Sequence, residues 1–290
     1  MSVIAISNIK NKIRVATDSR LFFESGISSD LCIKLFSIPV NIVIPISPPK
    51  GFNYDFENIY SKKWCLAIPD GQIHGVLMKE MLTGILSEIV YMDKTNDFQF
   101  DDIFKYILNL LDISTNDMLN PKLKSPCQLF IAGYDPNLDK VRLYDIYEEL
   151  IGSKAKFILK EIKLEELQCV VKGTVDKSII KKVDSFKLNV CDVVKLYINT
   201  NKKVGGKVQY GEFNPNNNFE ICSILEEIEI IEGTAYMVNS ISCLDFEKDN
   251  LELGKKLAPG HTSKDVYGLA SKIHKETGKT SFPYVQKRFS

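Results

Sequence analysis

Three side chains near the start of the chain, Ser2, Asp18 and Lys34, follow one another at sixteen-residue intervals and carry the parts of a nucleophilic site. Ser2 directly follows the initiator Met1, and loss of a Met before a small residue is the ordinary fate of a new chain. The serine would then hold both a hydroxyl and a free α-amine. An α-amine with an unperturbed pKa of about 8 can act as a general base near neutrality. Activation of a Ser or Thr hydroxyl by its own N-terminal amine is one way to make a weak nucleophile attack a carbonyl. Lys34 would favour the alkoxide electrostatically, and Asp18 would keep that ammonium charged and oriented.

Short strands must position these groups. Ser2 opens a strand over Val3–Ser7, and the polar run Asn8–Lys12 reads as a turn into a second strand, Ile13–Ala16, which delivers Asp18. A third strand around Leu31–Ile38 carries Lys34. This opening resembles the proteasome-type N-terminal-nucleophile (Ntn) hydrolases. Their mature chains begin T-T-I-x-x-x, continue to a strand ending A-D-[ST]-R, and carry K-[IL]-[FH] on a later strand. The matching residues are Ser2-Val3-Ile4-Ala5-Ile6, Val15-Ala16-Thr17-Asp18-Ser19-Arg20 and Lys34-Leu35-Phe36, in register from Ser2 without a gap. The resemblance implies Ser2 as nucleophile, Lys34 lowering its hydroxyl pKa, and Asp18 holding Lys34.

Composition narrows the field around that idea. A chain of 290 residues with 44% apolar content can bury a full core. Its 37 basic and 37 acidic residues cancel, which favours neither nucleic acid nor an anionic membrane. There is no charged n-region followed by an apolar h-region, and no apolar run of membrane-spanning length. The seven cysteines are scattered without a C-x-x-C pair, and there are only three histidines. That pattern argues against a zinc site or a disulfide framework, and points to a reducing cytoplasm. Glu226, Glu227, Glu229 and Glu232 are interspersed with isoleucines, a pattern that an acidic metal site could show but that a solvated strand face explains better.

Further along, Pro45–Ser61 reads as a long loop, and Trp64–Ile68 as a strand leading into a helix over Gln72–Tyr91. Ile73, Leu77, Met81, Ile85 and Ile89 would form the inward face of that helix. A second helix is expected over Asp102–Leu111. Strands follow at Gln128–Ala132 and Val141–Tyr147 around the turn Tyr134–Asn137. The stretch LFIAGYDPNLDKVRLYDIY again resembles the family, whose hairpin l-[IV]-x-G-[YV]-D ends in L-Y-x-I. A strand at Leu167–Val171 reaches Gly173-Thr174, where the family has G-S-G with a serine that positions the N-terminal amine. Thr174 fits that serine, and a helix N-cap accounts for it equally well.

A helix over Asp184–Thr200 then runs to Asn201 and Gly205-Gly206, ahead of a strand at Lys207–Phe213. The family has D-x-x-S-G-G here, its aspartate and serine supporting the nucleophile. Asn201 replaces that aspartate and Val204 the serine. Asn201 can hydrogen-bond but cannot stabilise a cationic amine as a carboxylate does. The family's oxyanion-hole glycine falls at Pro69, which has no N–H to donate, or two residues on at Gly71. Two strands, Phe219–Ile224 and Thr234–Ile241, precede the tail.

The resemblance implies a four-layer α/β/β/α sandwich, two stacked and largely antiparallel sheets between helix layers. It would occupy residues 1–245, with 246–290 a C-terminal extension bearing a short helix. It implies a cytoplasmic N-terminal-serine hydrolase of amide or peptide bonds, without metal or organic cofactor. The expected partners are a peptide or amide substrate and a homo-oligomer or ring, not nucleic acid or membrane. The site set is Ser2, Asp18, Lys34, Thr174 and Asn201. Two alternatives stand beside it. One is a catalytically silent member of the family with a structural or regulatory role; the other is a small-molecule amidase or acylase.

Overall fold

The structure, a computed structural model, describes residues 2–22, 28–30, 32–46, 55–70, 72–92, 98–118, 127–151, 154–166, 168–173 and 189–222. Thr174, Gly71, the glutamates of 226–232, the strand expected at Thr234–Ile241 and the extension 246–290 lie outside these residues.

Two sheets carry the fold. The first contains β1 (Val3–Ile9), β2 (Lys12–Asp18), β11 (Cys169–Gly173), β12 (Val208–Phe213) and β13 (Phe219–Cys222), in the order β11-β1-β2-β12-β13 and wholly antiparallel. β1 and β2 turn through Lys10 and Asn11, both at positive φ (54° and 57°), the geometry of a two-residue turn that follows strand twist. The second sheet contains β5 (Leu35–Pro45), β6 (Phe56–Asp70), β7 (Ile89–Val90), β8 (Gln128–Asp135), β9 (Lys140–Ile151) and β10 (Lys154–Glu161). Its order is β10-β9-β8-β6-β5-β7, with β5–β7 its one parallel pairing. A two-residue pair, β3 (Leu21–Phe22) with β4 (Ser28–Ser29), stands apart.

Three helices are described. α1 (Gln72–Leu86) packs on β5 and β6, α2 (Phe100–Met118) packs on β10, and α3 (Val190–Thr200) packs on β1, β2 and β12. Alternation along β1 shows how the core divides. Val3 and Ala5 face α3, while Ile4 and Ile6 face the second sheet and meet Leu35, Cys65, Ala67 and Phe130. β1 is therefore buried on both faces, each Ile or Val contributing about 1.5–3 kcal/mol of transfer free energy. On the far side of the second sheet, Trp64 stacks on Phe104 with centroids 5.4 Å apart and donates its indole N–H to the Tyr60 hydroxyl. Gly133 lies against that indole because a Cβ there would collide with it.

The expected four-layer α/β/β/α sandwich is corrected by this architecture. Among the described residues strand accounts for 51% and helix for 24%, and two curled sheets dominate, without closed helix layers outside them. The difference has local causes. The helix expected from Asp184 is described only from Val190, where the Asn189 side chain accepts from Cys191 N, and it spans 11 residues. Strands run longer than expected: β5 continues through Pro39 to Pro45, and β6 begins at Phe56, inside the expected loop. Pro39 is tolerated because β7 pairs only with Ile42 and Val43, so the outer side of β5 has no described ladder partner at Pro39. The inward row of α1 is Met78, Leu82 and Leu86, with Leu77 55% exposed, one residue round the helix from the expected face.

Candidate active site

The β1–β2 register brings the start of one strand beside the end of the other. Ile4 opposes Thr17, so Asp18 lies across from Val3, and the Val3 N–H donates to Asp18 Oδ1 at 3.0 Å. Lys34 reaches the same point from the segment leading into β5. Its Nζ donates to Ser2 Oγ at 2.5 Å, to Asp18 Oδ2 at 3.0 Å, and to the carbonyl of Arg20. Ser2 is 1% exposed, and Asp18 and Lys34 are fully buried. The three residues singled out by spacing are thus one hydrogen-bonded cluster.

Burying an ammonium and a carboxylate is costly unless each is paired and further hydrogen-bonded. Both conditions hold here. Besides Lys34 and Val3, Asp18 accepts from the backbone N–H groups of Arg20 (3.1 Å) and Gly205 (3.3 Å). Because Ser2 Oγ accepts from Lys34, its own proton is directed elsewhere, available to a base. An oxygen that gains negative charge at this position is met by a fixed ammonium rather than by water, and that is electrostatic preorganisation.

Residues the sequence pattern left unassigned hold the cluster. The Arg20 guanidinium makes two bonds to Asp30, at 2.6 and 2.9 Å, and one to the Lys202 carbonyl at 3.0 Å. Its hydrogen bonds hold the Asp30 carboxyl below its usual range, and Asp30 in turn raises Arg20. Ser19 Oγ donates to the Asp30 carbonyl and accepts from Lys207 N at 2.7 Å. Gly205 and Gly206 fit this packing: a Cβ on Gly205 would run into the Arg20 guanidinium, and Gly206, at φ +74°, faces Ser19 Oγ. Gly173, at φ +98°, pairs with Val3, and a Cβ there would strike the Ser2 carbonyl. The double glycine was visible as a motif; the role of the Arg20 carbonyl, a backbone group, had no sequence signal.

Two expected positions lie elsewhere or outside. Asn201 caps the C-terminus of α3, and its side chain accepts from Lys203 N at 3.0 Å, a local turn contact with no bond to Ser2. Val204 is fully buried against α3. Thr174 belongs to the residues not described. Pro69 is buried in β6 at a shift in the β6–β8 register, and contributes no N–H.

Among the described residues no group of three or more His, Cys, Asp or Glu could share a metal ion, and no helix is long and apolar enough to cross a membrane. A groove of about 570 Å³ between α1, β7 and α2, lined by Ile42, Ile85, Val90, Phe98 and Tyr106 among others, contains no member of the Ser2 cluster. No family model matches the chain, and no curated protein matches it.

Proposed function

We propose that this chain is an N-terminal-serine hydrolase of amide bonds, using the chemistry of the proteasome-type peptidases on peptide substrates. The observation that carries the reading is the 2.5 Å contact between Lys34 Nζ and Ser2 Oγ, made by an ammonium also tied to Asp18. After removal of Met1, the Ser2 amine takes the Oγ proton and Oγ bonds to the substrate carbonyl carbon. The C–N bond then breaks, and the proton passes from the Ser2 ammonium to the leaving amine, giving a Ser2 ester. Water, deprotonated by the same amine, attacks the ester carbonyl; the C–Oγ bond breaks, the ammonium returns its proton to Oγ, and the acid is released. Association into a ring belongs to the same proposal and is read by native mass spectrometry.

Intact-mass analysis with and without a β-lactone or peptide epoxyketone tests the reading. Expected are loss of Met1 and a single adduct that Ser2→Ala abolishes. A chain that keeps Met1 and takes no adduct sinks the hydrolase. The near-complete burial of Ser2 favours one second reading, a catalytically silent chain in which the cluster pins β1 to β2. That outcome is the one the second reading expects.

A further inference from the structure

Lys34 lies on a short segment just before β5, where its carbonyl accepts from Ile68 N at 2.9 Å and Cys32 N donates to the Ser19 carbonyl at 3.0 Å. Residues 32–34 precede β5, so their backbone groups need partners from elsewhere. One side chain supplies two of the others. Gln209 Oε1 accepts from the N–H of Lys34 at 2.9 Å and from the N–H of Leu35 at 3.0 Å, while its Nε2 donates to the Cys32 carbonyl at 2.6 Å. Two donors on one side and a carbonyl on the other also determine which way the amide points. Gln209 is 4% exposed.

Its location gives those bonds their consequence. Gln209 belongs to β12 of the five-stranded sheet, whereas Lys34 leads into β5 of the six-stranded one. In the β12–β2 register Gln209 opposes Thr17, and Val208 opposes Asp18. One amide therefore ties the backbone of Lys34 to the strand pair that carries its carboxylate partner. The Lys34 side chain has to cross between sheets and meet three acceptors at once, so small shifts of its Cα are felt at Ser2 Oγ.

We infer that Gln209 is a positioning residue for Lys34: it sets the ammonium against Ser2 Oγ and Asp18 by holding the Cys32–Leu35 backbone across the gap between the sheets. Few side chains could replace it. A glutamate of the same length would turn a carboxylate toward the Cys32 carbonyl, and alanine would leave two buried N–H groups without acceptor. The catalytic meaning of the role rests on the hydrolase reading; the positioning itself does not.

The test uses the full-length protein, labelled with ¹³Cε-lysine, as wild type, Gln209→Ala, Gln209→Glu and Leu82→Ala. The last is a stability control in the α1 core, remote from the cluster. The Lys34 resonance is assigned by its loss in Lys34→Arg. Two quantities are read across pH 5–9: the position of that resonance and the rate of Ser2 adduct formation with a β-lactone. Expected in both Gln209 variants are a displaced Lys34 resonance and an adduct rate lowered at least about tenfold, as small misplacements of reacting groups cost. Leu82→Ala leaves both near wild type. If Gln209→Ala does not fold, Gln209→Glu alone decides. A Lys34 resonance that coincides with wild type in the folded Gln209 variants overturns the inference. A wild type that takes no adduct, with the resonance still displaced by the variants, sinks the hydrolase reading and leaves the positioning role standing.

Discussion

The Lys34 ammonium has no solvent contact, and it donates to Ser2, the Asp18 carboxylate and the Arg20 carbonyl. Removing it would leave the buried Asp18 without its cationic partner. Lys34→Met is therefore expected to cost about 3–5 kcal/mol in urea unfolding, and Asp18→Asn on that background to restore part of the loss. A double variant no more stable than Lys34→Met would mean that the two charges are not coupled. Asp30 behaves differently, because its bridge to Arg20 is partly exposed. Hydrogen bonds from Arg20 lower its folded-state pKa below the ordinary 3.8. The stabilisation is thus present above the unfolded value and is lost as pH falls through the folded one. Asp30→Asn should cost at most about 1 kcal/mol near pH 6, the gap to wild type closing below pH 4; a gap unchanged at pH 3 would contradict this. At this scale the sequence was readable where spacing exposed it, at Ser2, Asp18 and Lys34. It was unreadable where the partner is a backbone group, as at Arg20 and Gly205. Asn201, a short amide at a helix end, bonds to Lys203 N two residues on, a local contact that spacing does not reveal.

Elements were legible in kind and less so in extent. The β1–β2 hairpin, the β8–β9 hairpin and the inward row of α2 (Ile103, Phe104, Ile107, Leu111) follow from alternation, turn residues and helical spacing. The sequence pattern ends β5 too soon and begins β6 too late, because Pro39 and the Pro-rich run after Ile44 are breakers in most settings, but not on a side of β5 that has no described ladder partner. In α1 two apolar rows lie side by side, Leu77-Met81-Ile85 and Met78-Leu82-Leu86, and periodicity alone does not choose between them. The sheet chooses, since the second row packs on Ile38, Val40 and Leu66. Leu82→Ala should therefore cost about 2–5 kcal/mol, while Leu77→Ala stays within about 0.5 kcal/mol. Equal losses in thermal or urea unfolding would place the α1 face wrongly.

Whole-molecule behaviour follows from how the cores share strands. The interior between the sheets takes Ile4, Ile6 and Val15 from one and Leu35, Cys65, Ala67, Phe130 and Ala132 from the other. The same β1 presents Val3 and Ala5 to α3 on its reverse face. Loosening the α3 side therefore disturbs the strand that the second sheet packs on, and the two sheets cannot melt independently. No local sequence window carries that coupling; it arises only when strands distant in the chain pack together. The single tryptophan makes it measurable, since Trp64 is fully buried on the far side of the six-stranded sheet. Val194, fully buried in α3, belongs to the opposite core. Val194→Ala removes two methyl groups and should cost about 2 kcal/mol. With shared strands, the urea midpoint read by Trp64 fluorescence falls by the same amount as the midpoint read by far-UV circular dichroism. A fluorescence midpoint that stays at the wild-type value while the circular dichroism transition moves or splits would show the sheets unfolding as separate units, and the coupling through β1 would be wrong.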